Sequence, residues 1–264
     1  MPYKYITVET ADQVTVLTLN RPERLNALTE DMIFEEFPSA LRETNLNPSS
    51  RALIITGAGD GFCSGVDVAN IRAAQAQDPL ARQDYLLASI QMVVKSLRGM
   101  QIPVIAAING AAAGAGVSLA LLCDMRLASE KAKFNMAFVQ RGLVPDFACS
   151  STLPRLVGMS RAMELVLGGR TIGAPEALSI GLVDRLVPPG SLLTEARGLA
   201  LSMARVPPVT ARLAKQALYA GLENSLEKQV ELEIYCQKIC VKTEDYKEAI
   251  ASFMEKRAPQ FKGK

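Results

Sequence analysis

The chain has 264 residues, of which 49% are hydrophobic, so it can bury a large core without disulfides or metal ions. Its 29 basic and 27 acidic residues are mixed along the sequence and give a net charge of +2, which excludes the dense basic stripe of a nucleic-acid-binding protein. Histidine is absent, which excludes Ser-His and Cys-His catalytic pairs and histidine-based metal sites. Proton transfer must therefore use Asp, Glu, Lys, Tyr, Cys or water.

The cysteines and the N-terminal residues indicate in which cellular compartment the protein is expected. The five cysteines are Cys63, Cys123, Cys149, Cys236 and Cys240, an odd number without Cys-x-x-Cys spacing, which favours free thiols in a reducing compartment. The opening sequence MPYKYITVET has no apolar stretch typical of a secretory signal. We therefore expect a cytoplasmic protein.

Strands and helices alternate before residue 192. Residues Gln13–Leu19 alternate like a half-buried strand, with Val14 and Val16 on one face, and Tyr85–Leu97 has helical spacing. Short apolar runs predict further strands at Arg51–Thr56, Pro103–Ile108 and Met125–Ala128. Strands separated by helices predict an α/β fold.

Only helical patterns follow residue 191. They cover Leu192–Ala204, Val209–Tyr219, Leu226–Val241 and Thr243–Glu255. Thr243 is a candidate N-cap, because two acidic residues follow it in the first turn. The sequence thus predicts a core over residues 1–191 and a helical region over residues 192–264.

One uncharged run, Ile102–Cys123, is long enough to span a bilayer. Pro103, Asn109 and Gly110 interrupt it, as do the glycines that follow. The run therefore predicts a buried strand, a tight turn and a buried helix, and we expect no association with a membrane.

Two Gly-rich turns follow predicted strands, at Gly57–Asp67 and Asn109–Gly116. Neither continues into the Gly-Lys-Ser/Thr of a phosphate-binding loop, and Leu119 stands where a dinucleotide fingerprint needs its third glycine. Taken singly, each turn is an ordinary connection between elements. Together, two such turns without charge at the apex can present two backbone N–H groups to one oxygen, which is the arrangement of an oxyanion hole for a thioester enolate.

At these residues the chain resembles the crotonase (enoyl-CoA hydratase/isomerase) superfamily, and the resemblance covers nearly the whole sequence. The motifs that carry it are NRPERLNALT at Asn20–Thr29, GFCSGVDV at Gly61–Val68, PVIAAINGAAAGAGVSLALLCD at Pro103–Asp124, GLVPDFACSSTLPRLVG at Gly142–Gly158, EALSIGLVDRLV at Glu176–Val187 and FMEKRAPQF at Phe253–Phe261. Several motifs in the right order are far more specific than any one of them.

The resemblance implies an α/β spiral of ββα units that ends in a helical trimerisation region, so we expect a homotrimer or a dimer of trimers. It implies acyl-CoA thioester substrates, with coenzyme A as part of the substrate and no further cofactor. By motif position, the oxyanion donors are the N–H groups of Val66 and Ala115. The residues expected to line the CoA site are Arg24, Ala27, Ser64 and Asp67. Lys256 matches a tail position that reaches the CoA phosphates of a neighbouring copy, although a solvated surface charge is an equal alternative.

The expected reaction depends on three positions. Hydratases of the family carry two glutamates, and this chain has Ser118 and Phe138 in their places. Asp146 is the remaining candidate base; next to the apolar Val144 and Phe147, we expect its pKa to be raised. Isomerisation needs only one base, so the resemblance favours double-bond isomerisation through Asp146.

Several alternatives remain at this stage. Asp146 could only order a turn. The protein could hydrate an enoyl-CoA with unusual groups, or bind acyl-CoA without turnover. A nucleophilic role of the aspartate, as in the dehalogenases of the family, ranks low because those enzymes use a histidine base. Phe134, Phe138 and Phe147 line an acyl pocket or belong to the core.

Overall fold

The computed structural model describes residues 3–67 and 79–264, and gives residues 79–87 and 89 by their backbone alone. The strands are β1 (Ile6–Ala11), β2 (Val14–Leu19), β3 (Ala52–Gly57), β4 (Gly61–Cys63), β5 (Val104–Ile108), β6 (Ala111–Ala113), β7 (Met125–Ser129), β8 (Lys133–Asn135), β9 (Thr171–Gly173) and β10 (Arg185–Val187). The helices are α1 (Phe37–Leu46), α2 (Pro79–Arg98), α3 (Ala115–Leu122), α4 (Cys149–Val157), α5 (Met159–Gly168), α6 (Ala174–Ser179), α7 (Leu192–Ala204), α8 (Pro208–Ala220), α9 (Leu226–Cys240) and α10 (Glu244–Glu255). A π-helical turn, Met32–Glu36, leads directly into α1.

Two mixed sheets form the α/β core. The larger sheet has the order β1-β2-β3-β5-β7-β10, antiparallel between β1 and β2 and parallel elsewhere. The smaller sheet has the order β4-β6-β8-β9, with only β8 and β9 antiparallel. The chain passes from a long strand in the first sheet to a three-residue strand in the second, as in β5, β6 and then α3. This repeat is the predicted spiral of ββα units.

The central strands of the larger sheet are buried on both faces. Every residue of β3 is buried, as is usual for a central parallel strand covered on each side. One face packs on α7 through Ala196 and Ala200, and the other faces the smaller sheet and the helices around it.

This arrangement corrects the expectation that β2 is half buried. Val14 and Val16 lie in the cluster beneath α7, while Leu17 and Leu19 lie in the main cluster, and all four are at most 6% exposed. The alternation of apolar and polar residues predicted that one face of β2 is exposed to solvent. That reasoning fails here because Thr15, on the second face, is fully buried through a hydrogen bond to Ser50 Oγ of 2.7 Å.

The uncharged run Ile102–Cys123 contains the predicted buried strand and buried helix, but a short strand, β6, lies where a plain turn was predicted. It contains β5, β6 and α3, and every residue of α3 is buried. Over residues 3–67 and 79–264, none of the helices combines the length and the apolar character needed to cross a membrane.

The C-terminal helices begin within one residue of their predicted starts, and α7 matches its prediction at both ends. Thr243 caps α10, since its hydroxyl accepts a hydrogen bond from Tyr246 N at 3.1 Å. Because α7 packs on the sheet, the division into regions 1–191 and 192–264 stays a prediction.

Two carboxylates, the partly buried Asp124 and the buried Asp245, fasten the helical region. Asp124 accepts hydrogen bonds from Val104 N at 2.7 Å, Lys215 Nζ at 2.6 Å and Tyr219 Oη at 2.6 Å, which joins α8 to the sheet. Asp245, 1% exposed, accepts from the backbone amides of residues 262 and 263 and so folds the C-terminal residues back onto α10.

Candidate active site

The two Gly-rich turns lie side by side because each contains a short strand. Strand β4 pairs parallel with β6, with Gly61 opposite Ala111. The sequence predicted plain strand-to-helix turns, and that detail was wrong, because three residues rich in Gly, Ala and Cys are too few to display a strand period. The pairing places Ser64–Asp67 beside the start of α3.

Backbone contacts hold the turns together. A Cβ added to Gly116 would lie 2.0 Å from Cys63 O, and a Cβ added to Gly65 would lie 2.9 Å from Ala113 O and 3.6 Å from Ala115 N. Gly65 and Gly114 also have positive φ values of 98° and 51°. The glycines are therefore required both by the close approach of two backbones and by conformation.

The peptide planes fix the direction of the Val66 and Ala115 amides. Gly65 O accepts a hydrogen bond from Leu28 N at 2.8 Å, and Gly114 O accepts one from Ser118 N at 3.1 Å. In a trans peptide the N–H points opposite to the C=O, so the Val66 N–H points away from Leu28 and the Ala115 N–H points out of the first turn of α3. Within the described part of the chain, neither amide has a hydrogen-bond acceptor, and Ala115 is among the orphan donors of a helix N-terminus.

The four residues expected at the CoA site come together along one edge of these turns. Ser64 Oγ donates to Arg24 O at 3.1 Å, and Asp67 N donates to Leu28 O at 2.9 Å, next to Ala27. The sequence motifs assigned these four residues to the CoA site. In the structure, hydrogen bonds between the two backbone segments bring them close together.

Three polar side chains that organise these turns were missed. Asn26, fully buried at a φ of 58°, donates to Ala58 O and Gly61 O, and Asn109 donates to Gly61 O as well. Arg21 joins Ala27 O to the Asp67 carboxylate. An asparagine within a Gly-rich or turn segment is a usable signal, because Asn tolerates positive φ and bonds to nearby backbone. The role of Arg21 depends on a residue 46 positions away and has no local signal.

Asp146 has the raised pKa that its neighbours predicted. Its Oδ1 is buried and has no hydrogen-bond partner among the described residues, and burial raises the pKa of the carboxyl to about 6. Phe147, 1% exposed, supplies part of the apolar surroundings, whereas the predicted contribution of Val144 is wrong, since that side chain is 80% exposed. Asp146 is also not the N-cap of α4, because that position is occupied by Ala148, which makes no side-chain capping bond.

Asp146 lies near the first turn of α3. Its charge acts on the Cys149 thiol, which also has the Ser118 side chain as a neighbour, and Ser118 Oγ donates to Gly114 O at 3.3 Å. Burial raises the pKa of the Cys149 thiol to about 11, so this cysteine stays protonated and uncharged. The ring of Phe138, 5% exposed, lies 3.9 Å from the Cβ position of Gly114. The carboxylate, the serine and the phenylalanine therefore surround one turn.

Phe134 and Phe147 belong to the main core cluster with Phe138. Of the three, Phe138 is the one whose ring is found against the glycine turn. All three rings are therefore core side chains, and a part of any of them in an acyl pocket stays a prediction.

Strained backbone is concentrated in the segments that carry the candidate residues. Among the non-glycine residues with positive φ, five lie there: Leu25, Asn26, Ala137, Phe147 and Ala148. Such conformations cost about 1–3 kcal/mol each and persist at sites whose geometry the fold must hold. The turn after Asp146 contains two of them in succession.

Lys256 is not brought to this cluster within one chain. It is exposed at the end of α10 with a φ of 55°, and no contact of the described residues joins it to the CoA-site edge. Two further acids of the chain form ion pairs with arginines, Glu164 with Arg170 and Asp184 with Arg126. A cavity of about 640 Å³ between α2, α4 and α8 contains none of the predicted site residues in its lining.

The ββα spiral, two mixed sheets and C-terminal helices are those of a crotonase-type acyl-CoA enzyme. Residues 9–264 match the family described as Enoyl-CoA hydratase/isomerase. The chain belongs to this family, and the resemblance seen in the sequence is confirmed.

Named relatives cover almost the full chain. The chain is 38% identical over 261 residues to a probable enoyl-CoA hydratase of Mycobacterium bovis, covering 99% of each protein. It is 39% identical over 255 residues to the 1,2-epoxyphenylacetyl-CoA isomerase of Escherichia coli, covering 95% of each. The crystal structure of an enoyl-CoA hydratase from Bacillus anthracis superposes with a TM-score of 0.93 at 33% identity, covering 99% of this chain and all of that one. These likenesses confirm the fold class.

Proposed function

We propose that the protein is an enoyl-CoA isomerase in which Asp146 is the base and the amides of Val66 and Ala115 form the oxyanion hole. The observation that carries the proposal is the buried Asp146 Oδ1, which has no hydrogen-bond partner among the described residues; the Val66 and Ala115 amides on the paired turns likewise have no acceptor there. Ser118 and Phe138, in the places of the two hydratase glutamates, provide no second carboxylate.

The reaction follows from one base and one oxyanion site. The Asp146 carboxylate removes a proton from C2 of a 3-enoyl-CoA, and the electron pair moves onto the thioester oxygen. The two amides stabilise that enolate, each by about 3 kcal/mol. Asp146 then returns the proton at C4, and the double bond moves from C3–C4 to C2–C3. Atoms and charge balance without water or another cofactor.

The remaining residues are proposed as substrate contacts. Arg24, Ala27, Ser64 and Asp67 form the edge along which the CoA part of the thioester lies, and Phe138 faces the acyl part. The ring of Phe138 over the Gly114 turn keeps that space apolar, which opposes binding of an attacking water.

Hydration is the second candidate function. It is favoured by the names of the relatives, most of which are called enoyl-CoA hydratases, while one is called an isomerase. A third possibility, acyl-CoA binding without turnover, is favoured by the replacement of both glutamates.

One assay separates these functions. The protein is incubated with a short 3-enoyl-CoA in heavy water and the products are followed by mass spectrometry. Isomerisation gives the conjugated 2-enoyl ester at unchanged mass apart from incorporated deuterium, whereas hydration adds the mass of water. Recovery of bound but unchanged ester would favour a binding role.

The pH dependence of kcat/KM is expected to report the ionisation of Asp146. The base is active when deprotonated, and its pKa in the free protein is about 6, so kcat/KM should fall about tenfold per pH unit below pH 6 and level off above it. The measurement is a pH profile from about 5 to 8 with folding checked by circular dichroism. A profile that stays flat to the acid end of this range would contradict a desolvated base.

We also propose that the protein assembles as a homotrimer or a dimer of trimers through its helical region. Large apolar side chains there are exposed in the single chain, with Leu218 76%, Leu226 77%, Phe253 79% and Met254 75% accessible. Light scattering should give three or six times the chain mass of 28.4 kDa. In such an assembly Lys256 is proposed to meet the CoA phosphates of a neighbouring copy, and a monomer at micromolar concentration would contradict both statements.

A further inference from the structure

Arg21 connects the two chain segments that border the CoA-site edge. Its Nη1 donates to Ala27 O at 2.6 Å and its Nη2 to Asp67 Oδ2 at 3.1 Å, and the two side chains of the ion pair are only 12% and 13% exposed. The ring of Tyr5 lies 5.3 Å from the guanidinium carbon. A planar guanidinium with fixed donors is suited to hold a carbonyl and a carboxylate at a set separation.

The same two segments set the plane of the peptide that carries the Val66 amide. Leu28 N donates to Gly65 O at 2.8 Å, and Asp67 N donates to Leu28 O at 2.9 Å. Leu28 and Val66 form an isolated parallel bridge between these bonds. The direction of the Val66 N–H thus depends on how closely the Ala27–Leu28 backbone lies to residues 65–67.

We propose that Arg21 is a positioning residue that aims the Val66 amide at the thioester oxygen. Arg21 bonds to Ala27, the residue before Leu28, and to Asp67, the residue after Val66. It therefore holds both segments of the Leu28–Val66 bridge. Arg21 itself touches no substrate. This inference rests on the proposed function, because it gives the Val66 amide an oxyanion to bind.

The test uses variants of the full chain. Arg21→Met removes both hydrogen bonds. Arg21→Lys keeps the positive charge but not the paired donors of the guanidinium. Asp67→Asn removes the negative charge of the partner. Arg51→Met is the matched control: Arg51 also donates to a backbone carbonyl, that of Phe261, but lies just before β3, at the end of the strand away from the Gly-rich turns.

Two readouts distinguish positioning from folding. The first is the ultraviolet band of the enolate of acetoacetyl-CoA when it is bound by the protein, which reports the oxyanion hole directly. The second is the dissociation constant of free CoA, which has no thioester carbonyl. kcat and KM for the 3-enoyl-CoA are measured alongside.

Arg21→Met is expected to weaken the enolate band and to lower kcat by about tenfold or more, less than complete loss of an oxyanion donor, which costs about 10²–10³-fold. In Arg21→Met the dissociation constant of free CoA should change by less than about threefold, since Arg21 itself touches no substrate and the proposed CoA contacts are all kept. Arg21→Lys should restore part of the band. Arg21→Met combined with Asp67→Asn should be no worse than the stronger single variant, because both act through one pair.

Three outcomes would overturn the inference. Wild-type kcat and enolate band in Arg21→Met, with only a lower melting temperature, would make Arg21 a structural residue. A rise in the dissociation constant of free CoA that matches the fall in kcat would make it a CoA-binding residue. Equal losses in Arg51→Met would show a general effect on the fold. Absence of the enolate band and of turnover in the wild type would instead reject the proposed function itself.

Discussion

Asp146→Asn is expected to abolish double-bond migration and yet to leave the protein at least as stable as the wild type at pH 8. The substitution keeps the shape of the side chain and removes the group that accepts the proton, so kcat should fall about 10²–10⁴-fold. Asp60→Asn is the control, because Asp60 lies in the first Gly-rich turn with its side chain 92% exposed. It should have wild-type activity.

The stability measurement separates catalysis from a turn-ordering role. Because the pKa of Asp146 is raised to about 6 in the folded protein, the folded state above pH 6 contains a desolvated carboxylate that the unfolded state hydrates. The wild type therefore loses stability as pH rises from about 4 to 6, by about 1–3 kcal/mol. Asp146→Asn should remove that loss, which urea unfolding at about pH 5 and pH 8 can measure. A variant destabilised at both pH values would mean that Asp146 orders its turn.

The sequence predicted most helices and strands correctly because the residue patterns that specify them are local. The apolar run of β5 and the capped start of α10 are fixed by residues within a few positions of each other, and both were found where expected. The resemblance added the spiral order of the strands, which periodicity alone does not contain.

The candidate site was less predictable because its geometry comes from contacts distant in sequence. Strands β4 and β6 pair with Gly61 opposite Ala111. Each strand has only three residues, which is too few for a sequence pattern that would predict this pairing. Likewise Val144 belongs to the apolar pattern around Asp146 but is exposed, whereas Phe147, the first of two successive residues with positive φ, is buried. Motif position located the candidate residues, and only the structure placed the Arg21–Asp67 pair beside them.

Gly116→Ala is expected to separate the two turns and so to remove activity and stability together. The added methyl group would lie 2.0 Å from Cys63 O, a distance that no rotation can relieve because both atoms belong to the backbone framework. Helix α3 or strand β4 must move, and overpacking of this kind costs about 1–3 kcal/mol or more. The movement shifts the Ala115 amide relative to the Val66 amide, so kcat should fall by about 10²-fold or more, as for loss of one oxyanion donor.

Gly198→Ala provides the matched control for a helical glycine. Gly198 lies in the exposed part of α7, and nothing lies within 4 Å of its Cβ position. There the alanine should raise the free energy of unfolding by about 0.5–1 kcal/mol through helix propensity, with unchanged turnover. If the contact between the turns builds the site, urea unfolding should give stability changes of opposite sign for the two variants, and only Gly116→Ala should lose turnover in the 3-enoyl-CoA assay. Equal turnover in Gly116→Ala and wild type would mean that the two amides do not act on one oxygen, since a shift between them would then have no effect on the enolate.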